Sequence, residues 1–253
     1  MSATLRLRHV LLLALAVLGS GARADALQVA VAANFSAAAK QIAAAFEHDT
    51  GHEVKLSFGA TGTFYAQIEA GAPFDVLLAA DQATPAKLAR EGKALAATRR
   101  TYAVGKLVLW SADPALVDPA GAVLRSGRFR HLAVADPRLA PYGEAARETL
   151  EHLGLAARLQ PRLVTAGNIG QAYQFVATGN AELGFVALGQ VQPADGGPVP
   201  GSMWRVPDGF YTPLKQDLMV LSSSTSKAAA TAFADYLAGD KAHAIVRAHG
   251  YGW

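Results

Sequence analysis

Cysteine is absent from all 253 residues. The chain therefore has no disulfide, no thiolate nucleophile and no thiolate metal ligand, and an exported form must be held together by its core alone. Charge is scarce as well. Only 17% of residues are charged while 51% are hydrophobic, which excludes a disordered chain. No apolar run reaches the ~20 residues needed to cross a bilayer. The longest, residues 10–18, follows Arg6, Arg8 and His9 and precedes Gly19-Ser20-Gly21-Ala22-Arg23-Ala24. Small residues at −3 and −1 of a cut after Ala24 read as a secretory signal peptide over 1–24. The formal charge of +3 comes from that leader: three of the 23 basic residues lie in it, leaving 20 against 20 acidic ones. A neutral mature chain offers no basic face for nucleic acid.

The usual signatures of catalysis are missing too. There is no G-x-S-x-G elbow and no H-E-x-x-H pair. Gly59-Ala60-Thr61-Gly62 has neither the lysine and spacing of a P-loop nor the third glycine of a dinucleotide fingerprint. His48 and His52 are four apart, but Gly51 between them argues against a shared helical face, and both read as surface residues rather than metal ligands. Asn34-Phe35-Ser36 matches a glycosylation sequon, a pattern short enough to arise by chance.

What is present is a repeated βα rhythm. Residues 27–33, 53–58 and 74–80 read as strands, the first apolar enough to be buried on both faces. Each runs straight into a helical pattern, which predicts a parallel α/β sheet. Residues 102–111 form a longer extended stretch with Gly105 in its middle, read as a bend between lobes. The rhythm then resumes with strands at 131–135, 163–165 and 183–187. Two further strands follow at 203–206 and 214–221, and helices at 227–237 and 241–249 close the chain. With extended crossings near 103–106 and 214–218, the chain leaves one βα cluster for a second and returns. The expected division is residues 25–104 plus 217–253 in one lobe and 105–216 in the other, with a ligand in the cleft.

Four strand-to-helix turns present small or polar residues: Ala33-Asn34-Phe35, Ala60-Thr61-Gly62, Pro141-Tyr142-Gly143 and Asn168-Ile169-Gly170. Taken singly, Asn34 and Thr61 read first as ordinary helix N-caps, and Ser36 as a plainer one. As a set, two turns come from each lobe. Helix N-termini carry partial positive charge, so together they form an anion site that needs no cation. Neutral donors favour a fully deprotonated oxyanion, whereas hydrogen phosphate requires an acceptor for its proton. Asp136 is near enough in sequence to keep phosphate open. A secreted hydrolase is the other class of reading, but His131 begins its strand, at the wrong end for catalysis.

The motifs Val31-Ala32-Ala33-Asn34-Phe35, residues 57–63 (SFGATGT), 67–75 (QIEAGAPFD), 78–82 (LAADQ), 132–137 (LAVADP), Pro141-Tyr142-Gly143 and 183–186 (LGFV) resemble those of periplasmic molybdate-binding proteins, the solute receptors of molybdate ABC transporters. The resemblance covers essentially the whole mature chain. It implies an α/β fold, the two-lobed periplasmic binding protein of the second type, with a mixed, mostly parallel sheet in each lobe. It also implies a soluble, monomeric periplasmic protein without cofactor or catalysis, which binds molybdate or tungstate and delivers it to an inner-membrane ABC permease. The implied oxyanion contacts are Asn34, Thr61, Tyr142 and Ile169, with no direct ligand to the metal. Asn34 and Thr61 stand where serine is frequent in the family, and both keep a side-chain donor. For Tyr142 and Ile169 the expected donor is the backbone N–H. Some members have a tyrosine donor where this chain has Ala187; the Asn34 amide or the Tyr142 hydroxyl is the expected substitute. Mass spectrometry of the exported protein should give a chain starting at Asp25; retention of residues 1–24 would contradict the leader assignment.

Overall fold

The computed structural model describes residues 26–253, so the leader expected over 1–24 lies outside the described residues. The chain starts with β1 (Ala26–Ala32), a 3-10 turn (Ala33–Phe35), α1 (Ser36–Thr50), β2 (Glu53–Gly59), α2 (Thr61–Glu69), β3 (Val76–Leu78), α3 (Ala83–Arg90) and β4 (Arg100–Gly105). It crosses at Lys106 into β5 (Leu107–Ser111), α4 (Val123–Ser126), β6 (Leu132–Ala135), α5 (Pro141–His152), α6 (Ala156–Leu159), β7 (Leu163–Ala166), α7 (Ile169–Ala177), β8 (Leu183–Ala187), α8 (Leu188–Val191) and β9 (Ser202–Arg205). It then returns as β10 (Leu214–Val220), α9 (Lys227–Leu237) and α10 (Asp240–Ala248).

Two five-stranded sheets result, ordered β2-β1-β3-β10-β4 and β7-β6-β8-β5-β9. In each, three strands from the βα units are parallel, as their helical crossovers require. One strand in each sheet is reversed, β10 between β3 and β4 in the first and β5 between β8 and β9 in the second, and pairs antiparallel with both neighbours. The bend expected at Gly105 falls there: β4 ends at Gly105 in the first sheet and β5 begins at Leu107 in the second.

The return differs from the expected 214–218 crossing and from a boundary after residue 216. All of β10, Leu214 to Gln216 included, pairs with β4 or β3 in the first sheet. The chain crosses earlier, over residues 206–213, where Pro207 and Pro213 cannot donate to a sheet ladder. The strand itself falls where expected over 214–221, but its polar run Lys215-Gln216-Asp217 belongs to the first sheet and not to a crossing. Gln216 and Asp217 are nonetheless buried, because each is matched by hydrogen-bond partners, with Arg99 pairing Asp217 at 2.7 Å.

The first lobe packs α1, α9 and α10 on one face of its sheet and α2 and α3 on the other. Phe46 of α1 meets Phe233 of α9 edge-to-face at 5.1 Å, tying the C-terminal helices to the N-terminal unit. The second lobe's core includes Ala32, Ala33, Ala60 and Ala80 of the first lobe. These small side chains let the two lobes approach closely at the carboxyl ends of β1, β2 and β3. Phe233→Ala should cost about 3–5 kcal/mol of stability, as for other buried phenylalanines. Urea unfolding would measure it, and a loss under about 1 kcal/mol would show that α9 does not close this core.

Candidate functional site

The carboxyl ends of β1 and β2 and the starts of α2, α5 and α7 converge on one cavity between the lobes. Asn34 and Thr61 line it from the first lobe, Tyr142 and Ile169 from the second. All four are buried, with at most 3% of their surface exposed. All four residues expected as contacts are thus brought together. The eleven residues lining the cavity include no Lys, Arg, His, Asp or Glu. Its volume is about 10 Å³, on the order of one water molecule. Pockets for drug-sized ligands run to ~300–1,000 Å³, so this one fits only a small species.

The local sequence explains why donors are free here. The first N–H groups of a helix have no partner within it. Neither Asn34 nor Thr61 acts as the N-cap the single-turn reading suggests, and Ser36 is the first residue of α1 rather than its cap. Ala60 and Ala140 precede α2 and α5 and have no side chain with which to cap. Pro141 opens α5 without an N–H, so Tyr142 supplies the first one of that helix. Asn168 does cap α7, but it takes the N–H of Gln171 and leaves Ile169 free. The Thr61 hydroxyl accepts the Ala80 N–H at 3.0 Å; its own proton remains available. Behind the cavity, burial pushes the phenols of Tyr142, Tyr102 and Tyr251 up, so they stay protonated.

The lobes meet directly at the cavity mouth, where the Gly62 N–H donates to the Leu139 carbonyl across the cleft at 2.9 Å. A Cβ on Gly62 would lie 3.1 Å from Leu139 Cα and O, so only glycine allows this approach without a shift. In front lies an open groove of about 470 Å³, lined by Asp81, Glu144 and Glu148 as well as Arg138 and Lys215. Three carboxylates against two cations make it a poor anion site, and its size suits solvent and access.

The other residues singled out in the sequence lie elsewhere. Asp136 does not line the cavity. Arg138 holds its carboxylate through two side-chain bonds, at 3.1 and 2.7 Å, and a backbone one at 3.0 Å. That pairing keeps the Asp136 carboxyl below its usual range. His131 sits at the amino end of β6, 3.7 Å from Glu182. His48 pairs with Asp49 and His52 stacks on Phe46, and no cluster of possible metal ligands occurs among the described residues. Asn34 is 1% exposed, which leaves no room for a glycan. Ala187 ends β8, fully buried, with its N–H given to Gln190 at 2.9 Å. Gln216 is the buried polar residue missed in the sequence; its signal was a glutamine inside an otherwise strand-like stretch.

The model of the bacterial extracellular solute-binding protein family matches residues 27–252. The chain belongs to that family. It is 54% identical over 245 residues to the molybdate-binding protein ModA of Azotobacter vinelandii, covering 97% of each chain. Identity to ModA of Rhodobacter capsulatus is 50% over 230 residues, covering 91% of this chain and 89% of that one. Among solved structures, the Azotobacter vinelandii periplasmic molybdate-binding protein superposes with a TM-score of 0.88 at 45% identity, over 90% of this chain and 99% of that one. The fold is thus the two-lobed binding-protein fold of the second type, as the resemblance implied.

Because the folded pKa of Asp136 is depressed, its pairing with Arg138 contributes stability above the ordinary carboxyl pKa of ~3.9 and loses it as pH falls through the depressed value. A carboxyl NMR titration should place the Asp136 midpoint below ~3.9, and Arg138→Ala should raise it. An unchanged midpoint in the variant would show that Arg138 is not the cause.

Proposed function

We propose that this protein is a periplasmic receptor for molybdate, and for the isosteric tungstate, which passes its anion to an inner-membrane ABC permease and performs no catalysis. The observation that carries the reading is a small cavity between two lobes, ringed by helix N-termini and lined by no charged residue. The names of the relatives, at 50% identity and above over nearly the whole chain, support molybdate as the ligand.

In this reading the anion takes the N–H groups of Thr61, Tyr142 and Ile169, the Thr61 hydroxyl and the Asn34 turn. Each helix terminus adds about half a positive charge, offsetting a dianion without an ion pair. A four-oxygen anion exceeds the ~10 Å³ of free space, so it seats by parting the lobes slightly from their present contact. Hydrogen phosphate finds no carboxylate to take its proton, since Asp136 is engaged by Arg138 outside the cavity. Sulfate shares the charge and the tetrahedral shape of molybdate, so discrimination rests on cavity size.

Calorimetry of the mature protein should give molybdate and tungstate binding well below 1 mM, the level that corresponds to about −4 kcal/mol. Sulfate and phosphate should bind far more weakly. No heat with molybdate would refute the reading. Thr61→Ala should weaken molybdate binding by about 1.5–3 kcal/mol, the range for hydrogen bonds to a charged group, while unfolding stability changes less. Equal affinity in that variant would remove the Thr61 hydroxyl from the site.

A further inference from the structure

Behind the cavity lies a buried network of neutral groups that none of the anion contacts explains. Gln216, on the return strand β10, is fully buried. One end of its amide lies 2.9 Å from the Asn34 amide of the first lobe and 2.9 Å from Tyr102 Oη. Its other end lies 3.3 Å from Tyr142 Oη of the second lobe. Tyr102 Oη is also 3.0 Å from the Ala79 carbonyl, and Tyr251 Oη donates to the Asn34 carbonyl at 2.6 Å. Gly105 makes room for the contact: a Cβ there would meet Tyr142 Oη at 2.0 Å and Gln216 Nε2 at 2.6 Å.

Such a network has two polarities, which differ by a half-turn of both amides. In the first, Gln216 Oε1 faces Asn34 Nδ2 and Tyr102 Oη. That arrangement leaves Asn34 Oδ1 buried without a partner. It also gives the single Tyr102 proton two acceptors, Ala79 O and Gln216 Oε1. In the second, Gln216 Nε2 donates to both Tyr102 Oη and Asn34 Oδ1. The Tyr102 proton then goes to Ala79 alone, and the Tyr142 hydroxyl donates to Gln216 Oε1. Its costs are the long 3.4 Å contact between the Asn34 amide and Tyr251 Oη, which loses its proton, and an Asn34 NH2 group with no acceptor in the protein until an anion supplies one. The unpartnered position on Asn34, a residue that lines the cavity, becomes an N–H.

We propose that Gln216 is a positioning residue that sets this second polarity when the anion is bound, turning the Asn34 amide N–H toward the anion and tying that donor to Tyr142 across the lobes. The proposal rests on the cavity being the oxyanion site. It also accounts for the absence of a side-chain donor at Ala187: the Asn34 amide fills that role, while the Tyr142 phenol is occupied by Gln216.

The test combines side-chain amide NMR of the ¹⁵N-labelled protein with molybdate calorimetry on Gln216→Met and Gln216→Glu. In the wild type, molybdate should shift the Asn34 side-chain amide protons and protect them from exchange. Gln216→Met, which keeps the size but fixes no polarity, should weaken binding by roughly ten- to a hundredfold. It should also abolish the protection at Asn34. Gln216→Glu, where ionised, accepts only and keeps the first polarity, with Asn34 Nδ2 turned to residue 216, so its molybdate binding should be weaker than wild type and weaken further as pH rises. Asn34 amide signals unmoved by molybdate in the wild type would overturn the proposal even if neither variant folds. Gln216→Met affinity within about twofold of wild type would overturn it too. Absence of molybdate binding to the wild type would instead remove the anion reading beneath it.

Discussion

Burying a doubly charged anion without a counter-ion constrains everything around the cavity. Water must be excluded, because neutral donors compete with it only in a dry, low-dielectric site. The donors must converge from several directions, because one helix terminus offsets only about half a charge. They must also be free, which means that the helices meeting here are left uncapped at the positions that face the ligand. Ala60, Ala140 and Pro141 are therefore as much a part of the site as Thr61 and Tyr142, for what they do not supply.

Dryness in turn depends on how closely the lobes can meet. Alanines at 32, 33, 60 and 80 bring the first lobe against the second lobe's core, and Gly62 allows one backbone hydrogen bond to span the mouth. Two crossings, at Lys106 and over 206–213, join the lobes, and β4 and β10 beside them pair in one sheet. Gln216 lies on that paired segment and reaches a cavity-lining residue of each lobe, Asn34 and Tyr142.

The βα units were legible because hydrophobic runs ended at small polar residues and helical spacing began at once. The four turns followed from those boundaries, and the structure brings all four to one cavity. The return crossing was not legible. The strand at 214–221 was legible, but its polar run Lys215-Gln216-Asp217 read as the crossing, because the partners that bury it are distant in sequence: Asn34 and Gln216 are 182 positions apart. The role of Asp136 was likewise hidden, since local sequence placed it near the Tyr142 turn but could not show that Arg138 holds it outside the cavity. Short-range pattern reveals which backbone groups are free; only the fold reveals which side chains they meet.

The central claim is that a tetrahedral oxyanion sits between Asn34, Thr61, Tyr142 and Ile169 with no charged neighbour. Crystals of the mature protein grown with molybdate, measured at the molybdenum absorption edge, test it most directly. One strong anomalous peak should appear, enclosed by those four residues, with Asn34 Nδ2 and the N–H groups of Thr61, Tyr142 and Ile169 pointing at its oxygens. A peak in the outer groove beside Arg138 and Lys215, or none at all, would contradict it.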